Sequence, residues 1–378
     1  MTPQKIKILH LINSRGLYGA ERVIISLAAA AEGEKYSPSL ALLQTKNYPT
    51  KEFIDAVEEK KADSYVIPCK RWIDIKAVLQ LREVIKENNI DIVHCHGMKG
   101  RLYGLLAGFG MKSKLVTTHH IWNRNNIRVY LFELFDAFYI RFFPKIIAVS
   151  PRVRQELLDF FVPENKICTI INGINVDDFK KNDIHREEIR KKLNIDKDKI
   201  LIGTFGRISP EKGQKHLIEA AKNIINENKN VCFLIVGDGA EKEFIKKHAE
   251  HLGVYEKMIF IDFQKDINKY YSAIDILVIP SISDGTPMVL LEAMSAGLPI
   301  VATEPGAGHV LRNGIDGLVV RPGQTEELAK AVNRILANKS EAELFAVNTL
   351  ARVREKYSAS IMAREHEKVY AELLAGNE

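Results

Sequence analysis

The chain has 378 residues, of which 46% are hydrophobic and 27% charged, the balance of an ordinary globular protein of two or three domains. That composition excludes a disordered, collagenous or disulfide-built chain. The net charge is +6 and unevenly placed: residues 1–180 hold 26 Lys and Arg against 19 acidic residues, whereas 181–378 hold 28 against 29. A basic first half points to an anionic surface or a pyrophosphate-bearing partner, and without a recognisable nucleic-acid module it does not point to DNA or RNA. The opening residues carry no secretory signal pattern, and no run is long and apolar enough to span a bilayer. Cys69, Cys95, Cys168 and Cys232 are widely spaced, as expected for a reducing cytoplasm and not for a zinc cluster.

In chain order, short β-branched runs predict strands at Ile6–Ile12, Ser39–Leu43, Tyr65–Ile67, Ile90–Cys95, Leu115–Thr118, Lys145–Val149 and Ile167–Ile171. A second series follows at Ile200–Phe205, Val231–Val236, Met258–Ile261, Ile276–Ile279, Ile300–Ala302 and Gly317–Val319. Segments of helical period, such as Ala20–Ala31, Ile73–Asn88 and His216–Asn226, fill most gaps. This alternation predicts an α/β protein with two doubly wound, Rossmann-like parallel-sheet domains facing a cleft. The charged stretch Lys180–Lys199 places the interdomain link near 178–198, giving domains 1–180 and 181–357.

Ligands of such sheets sit beyond the carboxyl ends of the strands, so the residues that follow each strand carry the chemistry. After the first strand, Gly16 and Gly19 precede a helix and would let backbone N–H groups approach an anion. The second half opens with Gly206-Arg207 and Lys212-Gly213, a guanidinium fork and an ammonium five residues apart that suit a diphosphate. No Walker A or GxGxxG pattern accompanies either loop. Asp284 lies in the polar loop after Ile279, Pro287 is placed in a first helical turn, and Glu292 sits on a helix apolar nearly all round. A carboxylate in such a helix needs partners. His94 with His96, and His119 with His120, follow two first-half strands; they read as polar lining, with a metal site as the competing possibility. Residues 122–145 interleave eight aromatic residues with Arg124, Arg128, Arg141 and Lys145, which reads either as core packing or as a helix at an anionic membrane surface.

Taken in order, Gly19-Ala20-Glu21-Arg22, Val93-His94-Cys95-His96-Gly97, Thr117-Thr118-His119, Ala148-Val149-Ser150, Gly206-Arg207, Lys212-Gly213, Val236-Gly237-Asp238-Gly239 and the Asp284–Glu292 element resemble the family 4 retaining glycosyltransferases. The resemblance covers nearly the whole chain and implies the GT-B fold. It implies a nucleotide-sugar donor (UDP favoured, GDP as the alternative) and a glycan or lipid-linked acceptor, with no metal and no further cofactor. By the same resemblance Arg207 and Lys212 hold the donor diphosphate, Glu292 binds the ribose and Asp284 the sugar hydroxyls. Backbone groups at Gly285, Thr286, Pro287 and Met288 help hold sugar and phosphate, Gly16 approaches the phosphates, and His119 lies beside the transferred sugar. The last helix, near 358–374, crosses back to the first domain. The chain departs from the family pattern at Asp284, Asp262 and His309, where the family usually carries Glu, Gly and Glu. Competing readings are a UDP-sugar 2-epimerase on the same fold, a non-catalytic nucleotide-sugar-binding module, and a metal hydrolase built on the histidines.

Overall fold

The computed structural model describes residues 5–14, 19–31, 35–45, 51–58, 63–120, 127–284, 287–307 and 309–376. Gly16, Gly285 and Thr286 lie outside them. The chain divides into two units, one of Met1–Gly173 with Ala359–Glu378 and one of Ile174–Ser358.

The first unit contains β1 (Ile6–Ile12), β2 (Tyr36–Gln44), β3 (Asp63–Pro68), β4 (Ile92–His96), β5 (Lys114–His119), β6 (Lys145–Ala148) and β7 (Ile167–Thr169). They form one parallel sheet in the order β3-β2-β1-β4-β5-β6-β7. The order reverses between β1 and β4, where His10 pairs in register with His94. Its helices are α1 (Gly19–Ala31), α2 (Lys51–Glu58), α3 (Ile75–Glu87), α4 (Gly97–Gly108), α5 (Ile127–Tyr139) and α6 (Pro151–Asp159). Leu81 of α3, Tyr103 of α4, Ile140 just after α5 and Leu157 of α6 share one core with the sheet. Ile24 of α1 and Phe53 of α2 share another. Strands buried on both faces are apolar over most of their length, which is why β-branched runs located them.

In the second unit a 3₁₀ turn at Val176–Phe179 precedes α7 (Asp183–Lys192) and β8 (Ile200–Phe205). Then come α8 (Gln214–Glu227), β9 (Val231–Val236), α9 (Lys242–His251), β10 (Met258–Ile261), α10 (Ile267–Ala273) and β11 (Ile276–Ile279). The unit continues with α11 (Met288–Ser295), β12 (Ile300–Thr303), α12 (Glu304–Ala307), β13 (Leu318–Val320), α13 (Thr325–Ala337) and α14 (Lys339–Lys356). The sheet order is β10-β9-β8-β11-β12-β13, again parallel, with its reversal between β8 and β11. The last helix, α15 (Ala359–Ala375), belongs to the first unit and packs on α1.

The stretch 180–199 is not a linker. Its helix α7 packs on α10, because Arg186 and Arg190 point inward to Asp275 at 2.7 and 3.3 Å and to the Ala273 carbonyl at 3.1 and 3.0 Å. Arg190 is almost fully buried, so charge that looks solvated in the sequence is structural here. All four cysteines are free thiols. Among the described residues no helix is long and apolar enough to cross a membrane.

Candidate functional site

In the second unit three loops meet at the β8/β11 reversal. The chain leaves β8 through Gly206, and the Gly237–Gly239 loop after β9 lies directly on it. Gly206 donates its N–H to the Val236 carbonyl at 3.0 Å, and Ile208 donates to the Asp238 carbonyl at 2.9 Å. Gly237 has φ +154°, and a Cβ there would overlap the Gly206 carbonyl oxygen, so only glycine permits this backbone-on-backbone approach. Pro210–Lys212 then forms a single 3₁₀ turn closed by Gly213 at φ +67°. A Cβ on Gly213 would strike the Pro280 carbonyl at the end of β11. Ile282 and Ser283 donate to the Glu211 carbonyl at 2.8 and 3.2 Å, which ties the turn to the β11 loop.

This seat fixes the charges. Lys212 Nζ meets Asp284 Oδ2 at 2.6 Å, with both side chains mostly buried, and Ser281 donates its hydroxyl to the same oxygen at 3.3 Å. Arg207 pairs with Glu211 at 2.7 Å while its guanidinium stays 56% exposed. A solvent-facing pair of this kind is weak and can exchange its carboxylate for a more highly charged anion. Gln214 donates to the Arg207 carbonyl at 2.9 Å and holds the loop behind it. Lys215, by contrast, turns to Glu219 at 3.7 Å on α8. An ammonium carries three donors and no acceptor, so Lys212 can keep Asp284 and still give hydrogen bonds to two phosphate oxygens.

Glu292 on α11 is 4% exposed, as the all-round apolar helix required, and its Oε2 accepts from the Tyr271 hydroxyl at 2.7 Å. Tyr271 itself is wedged edge-on against Phe205 and Phe179, with ring centroids 4.8 and 5.7 Å away. Sequence reasoning missed this positioning residue. Its signal was faint, a Tyr270-Tyr271 pair on the helix before β11, and the contact spans 21 residues. Pro287 is the residue before α11, extended at φ −66° and ψ 126°, and not in the first helical turn; Met288 begins the helix and is buried. Asp262, after β10, pairs with Lys242, which holds its carboxyl below the ordinary range. Burial lowers the His309 imidazole below its usual value.

The histidines lie in the first unit. His94 and His96 stack with centroids 4.2 Å apart, and His10 Nδ1 is 3.1 Å from His96 Nε2. His94 uses both ring nitrogens, on the Thr118 hydroxyl at 2.7 Å and the Tyr370 hydroxyl of α15 at 2.8 Å. Three ligand atoms of His10, His94 and His96 lie within 4.8 Å of one another, so a cation there would have to displace Thr118 or Tyr370. His119, at the end of β5, is buried with Glu156 of α6 at 3.9 Å. Burial pulls its pKa down while Glu156 pulls the other way, and the net shift favours the neutral ring. The structure thus brings Lys212, Asp284, Arg207 and Gly213 into one seat, and sets Glu292 in the adjoining helix.

Two parallel-sheet units, each with its reversal point furnished by strand-end loops, define the GT-B fold. Residues 18–178 match the family described as Glycosyltransferase Family 4, and residues 185–352 match Glycosyl transferases group 1. The chain belongs to the family 4-like glycosyltransferases. A relative from Escherichia coli, UDP-Gal:alpha-D-GlcNAc-diphosphoundecaprenol alpha-1,3-galactosyltransferase, is 24% identical over 355 residues, 89% of this chain and 90% of the relative. The capsular polysaccharide biosynthesis glycosyltransferase CapM of Staphylococcus aureus is 27% identical over 348 residues, 86% and 90% of the two chains. The Anabaena protein Alr3699/HepE, solved in complex with UDP and glucose, superposes with a TM-score of 0.85 at 21% identity, over 97% of this chain and 100% of that one. The protein is a glycosyltransferase.

Proposed function

We propose that the chain transfers a hexose, with retention, from a nucleoside-diphosphate sugar, UDP-sugar before GDP-sugar, to a glycan or lipid-linked acceptor at the inner face of the cytoplasmic membrane. The observation that carries it is the Lys212–Asp284 pair seated beside Arg207 at the β8/β11 reversal. In this reading Arg207 and Lys212 bind the diphosphate and neutralise the leaving nucleotide as its charge grows, so that no metal ion is required. Glu292, aimed by Tyr271, receives the ribose hydroxyls. Asp284 and the backbone from Gly285 to Met288 hold the sugar, and the family resemblance assigns His119 to the sugar and Gly16 to the phosphates. The E. coli relative, whose name specifies UDP-Gal and a diphosphoundecaprenol-linked acceptor, and the Anabaena structure holding UDP support the choice of donor and acceptor classes.

A thermal-shift panel of UDP, GDP and ADP with their sugar conjugates, each with and without EDTA, tests this. UDP at a hundred times its dissociation constant should stabilise the protein by about 2.7 kcal/mol, and chelator should not change the shift. Absence of a shift with every nucleotide would remove the reading. A new epimer formed from UDP-sugar alone would replace transfer by epimerisation.

A further inference from the structure

Helix α5 is built the wrong way round for water. Over its described side chains it buries Glu133 and Asp136, at 3% and 0% exposure, and turns Phe132, Phe135 and Phe138 outward at 45%, 68% and 60%. Phe142, just beyond the helix, continues the stripe at 62% and packs edge-on to Phe138 at 5.5 Å. Spacings of three, three and four residues put these four rings on one side. The inward acids are accommodated at a cost: Asp136 takes two N–H groups of Arg101, which is itself buried. A helix facing water does the opposite, with carboxylates out and rings in.

The apolar surface extends beyond α5. Trp72, 47% exposed, lies 5.1 Å from Phe132, and Ile73 and Ile75 beside it are 53% and 72% exposed. This segment is held firmly: Asp74 donates its N–H to the Tyr103 hydroxyl at 2.7 Å, and Lys99 donates to the Arg71 carbonyl at 3.1 Å. The sequence here is rich in cations: between Asp91 and Glu156 it has ten Lys and Arg and only the two buried acids, although Lys99 and Arg101 are buried too and Lys145 and Arg154 pair with Glu372 and Glu164. Lys70, Arg71 and Lys76 are exposed beside Trp72, and the one acid among them, Asp74, accepts from the N–H groups of Lys70 and Lys76.

We propose that α5 and the 70–76 segment form a docking face for an anionic phospholipid surface, with Trp72, Phe135, Phe138 and Phe142 entering the headgroup boundary and the cations meeting lipid phosphates. A second copy on the same face would set like charge against like charge, whereas a lipid surface satisfies rings and cations together. The face deepens the reading of the acceptor as membrane-borne, yet it is defined by the first unit alone. Phe143 is no part of it: that ring is fully buried in the core.

Co-sedimentation with vesicles of phosphatidylethanolamine and phosphatidylglycerol, against vesicles of phosphatidylcholine alone, tests the face. The parent should bind the anionic vesicles, and the triple variant F135S/F138S/F142S should bind about tenfold less or weaker still. The variant should keep the parent's thermal midpoint and its shift with UDP. In a W122F background Trp72 is the sole tryptophan, and its fluorescence should be quenched by brominated lipid. Lys70→Glu with Arg71→Glu should remove the preference for anionic over neutral vesicles. Equal vesicle binding by parent and triple variant, or an unquenched Trp72, would overturn the proposal. So would a parent that sediments as a dimer and a triple variant that sediments as a monomer. Loss of the nucleotide shift with vesicle binding intact would count against the donor reading and leave this one standing.

Discussion

The two sheet reversals are the same in topology and opposite in furnishing. At the β1/β4 reversal the side chains are stacked imidazoles, His10, His94 and His96, buried and tied to hydroxyls. At the β8/β11 reversal they are formal charges, Lys212 on Asp284 and Arg207 on Glu211, at 2.6 and 2.7 Å. Sheet order decides where a ligand can sit; the residue types after each strand decide what charge it can carry. The second unit concentrates charge at its reversal, and the first holds buried rings already engaged with one another and with the Thr118 and Tyr370 hydroxyls.

Acid should strain the first reversal most. Burial and the facing His366 pull His10 down to about 3, burial brings His366 to about 4, and burial puts His94 and His96 well below 6.5. Their folded pKa values lie below the unfolded one, so their contribution is full above pH 6.5 and is lost as the pH falls towards 3–4. One pH unit below 6.5 costs up to about 1.4 kcal/mol for each such ring, several kcal/mol for the cluster. Both tryptophans, Trp72 and Trp122, belong to the first unit, so urea midpoints followed by tryptophan fluorescence report this unit directly. A midpoint unchanged between pH 7 and 5.5 would show that the rings titrate alike in the folded and unfolded states, and a midpoint that rises would show that they are charged in the fold.

The second reversal should respond in turnover and not in stability. Lys212→Met is expected to lower kcat about 10²–10³-fold, the loss typical of a group that meets charge developing in the transition state. Its thermal stability should change by much less than the barrier does, because Ser281 still donates to Asp284 and the pair keeps some contact with solvent. Steady-state kinetics beside a melting curve separate the two, and retained turnover would erase the contrast between the reversals. A smaller effect should follow Tyr271→Phe: about 1 kcal/mol weaker UDP binding, roughly fivefold, as Glu292 loses its orienting donor. Calorimetry reads that directly, and affinity equal to the parent's would separate Glu292 from the ribose.

Much of the fold was legible in advance. A parallel strand covered on both faces is apolar over most of its length, so thirteen short β-branched runs marked the thirteen strands of the described residues, and β1, β8, β9, β10 and β11 begin and end where the runs do. The loop cations were legible too, because glycines bracket Arg207 and Lys212 immediately after a strand. The inward arginines of α7 were not: Arg186 and Arg190 have the composition of a solvated link, and only Asp275, some 85 residues away, turns them into structure. Residues 122–145 divided in the same way, with Phe143 in the core and Phe135, Phe138 and Phe142 on the surface.

By itself, then, the sequence determined the two parallel sheets and the chemistry available at their strand ends, since periodicity and composition are local properties of the chain. The tertiary structure decided which of those groups meet. Lys212 reaches Asp284 across 72 residues and Tyr271 reaches Glu292 across 21. The first meeting follows from β8 lying beside β11, a non-consecutive pairing that no local pattern encodes, and the second from α10 and α11 packing together on either side of β11. The outward aromatic stripe of α5 has the same origin, because a helix of mixed character turns inward whichever residues its neighbours can satisfy, and here Arg101 on α4 claimed the acid.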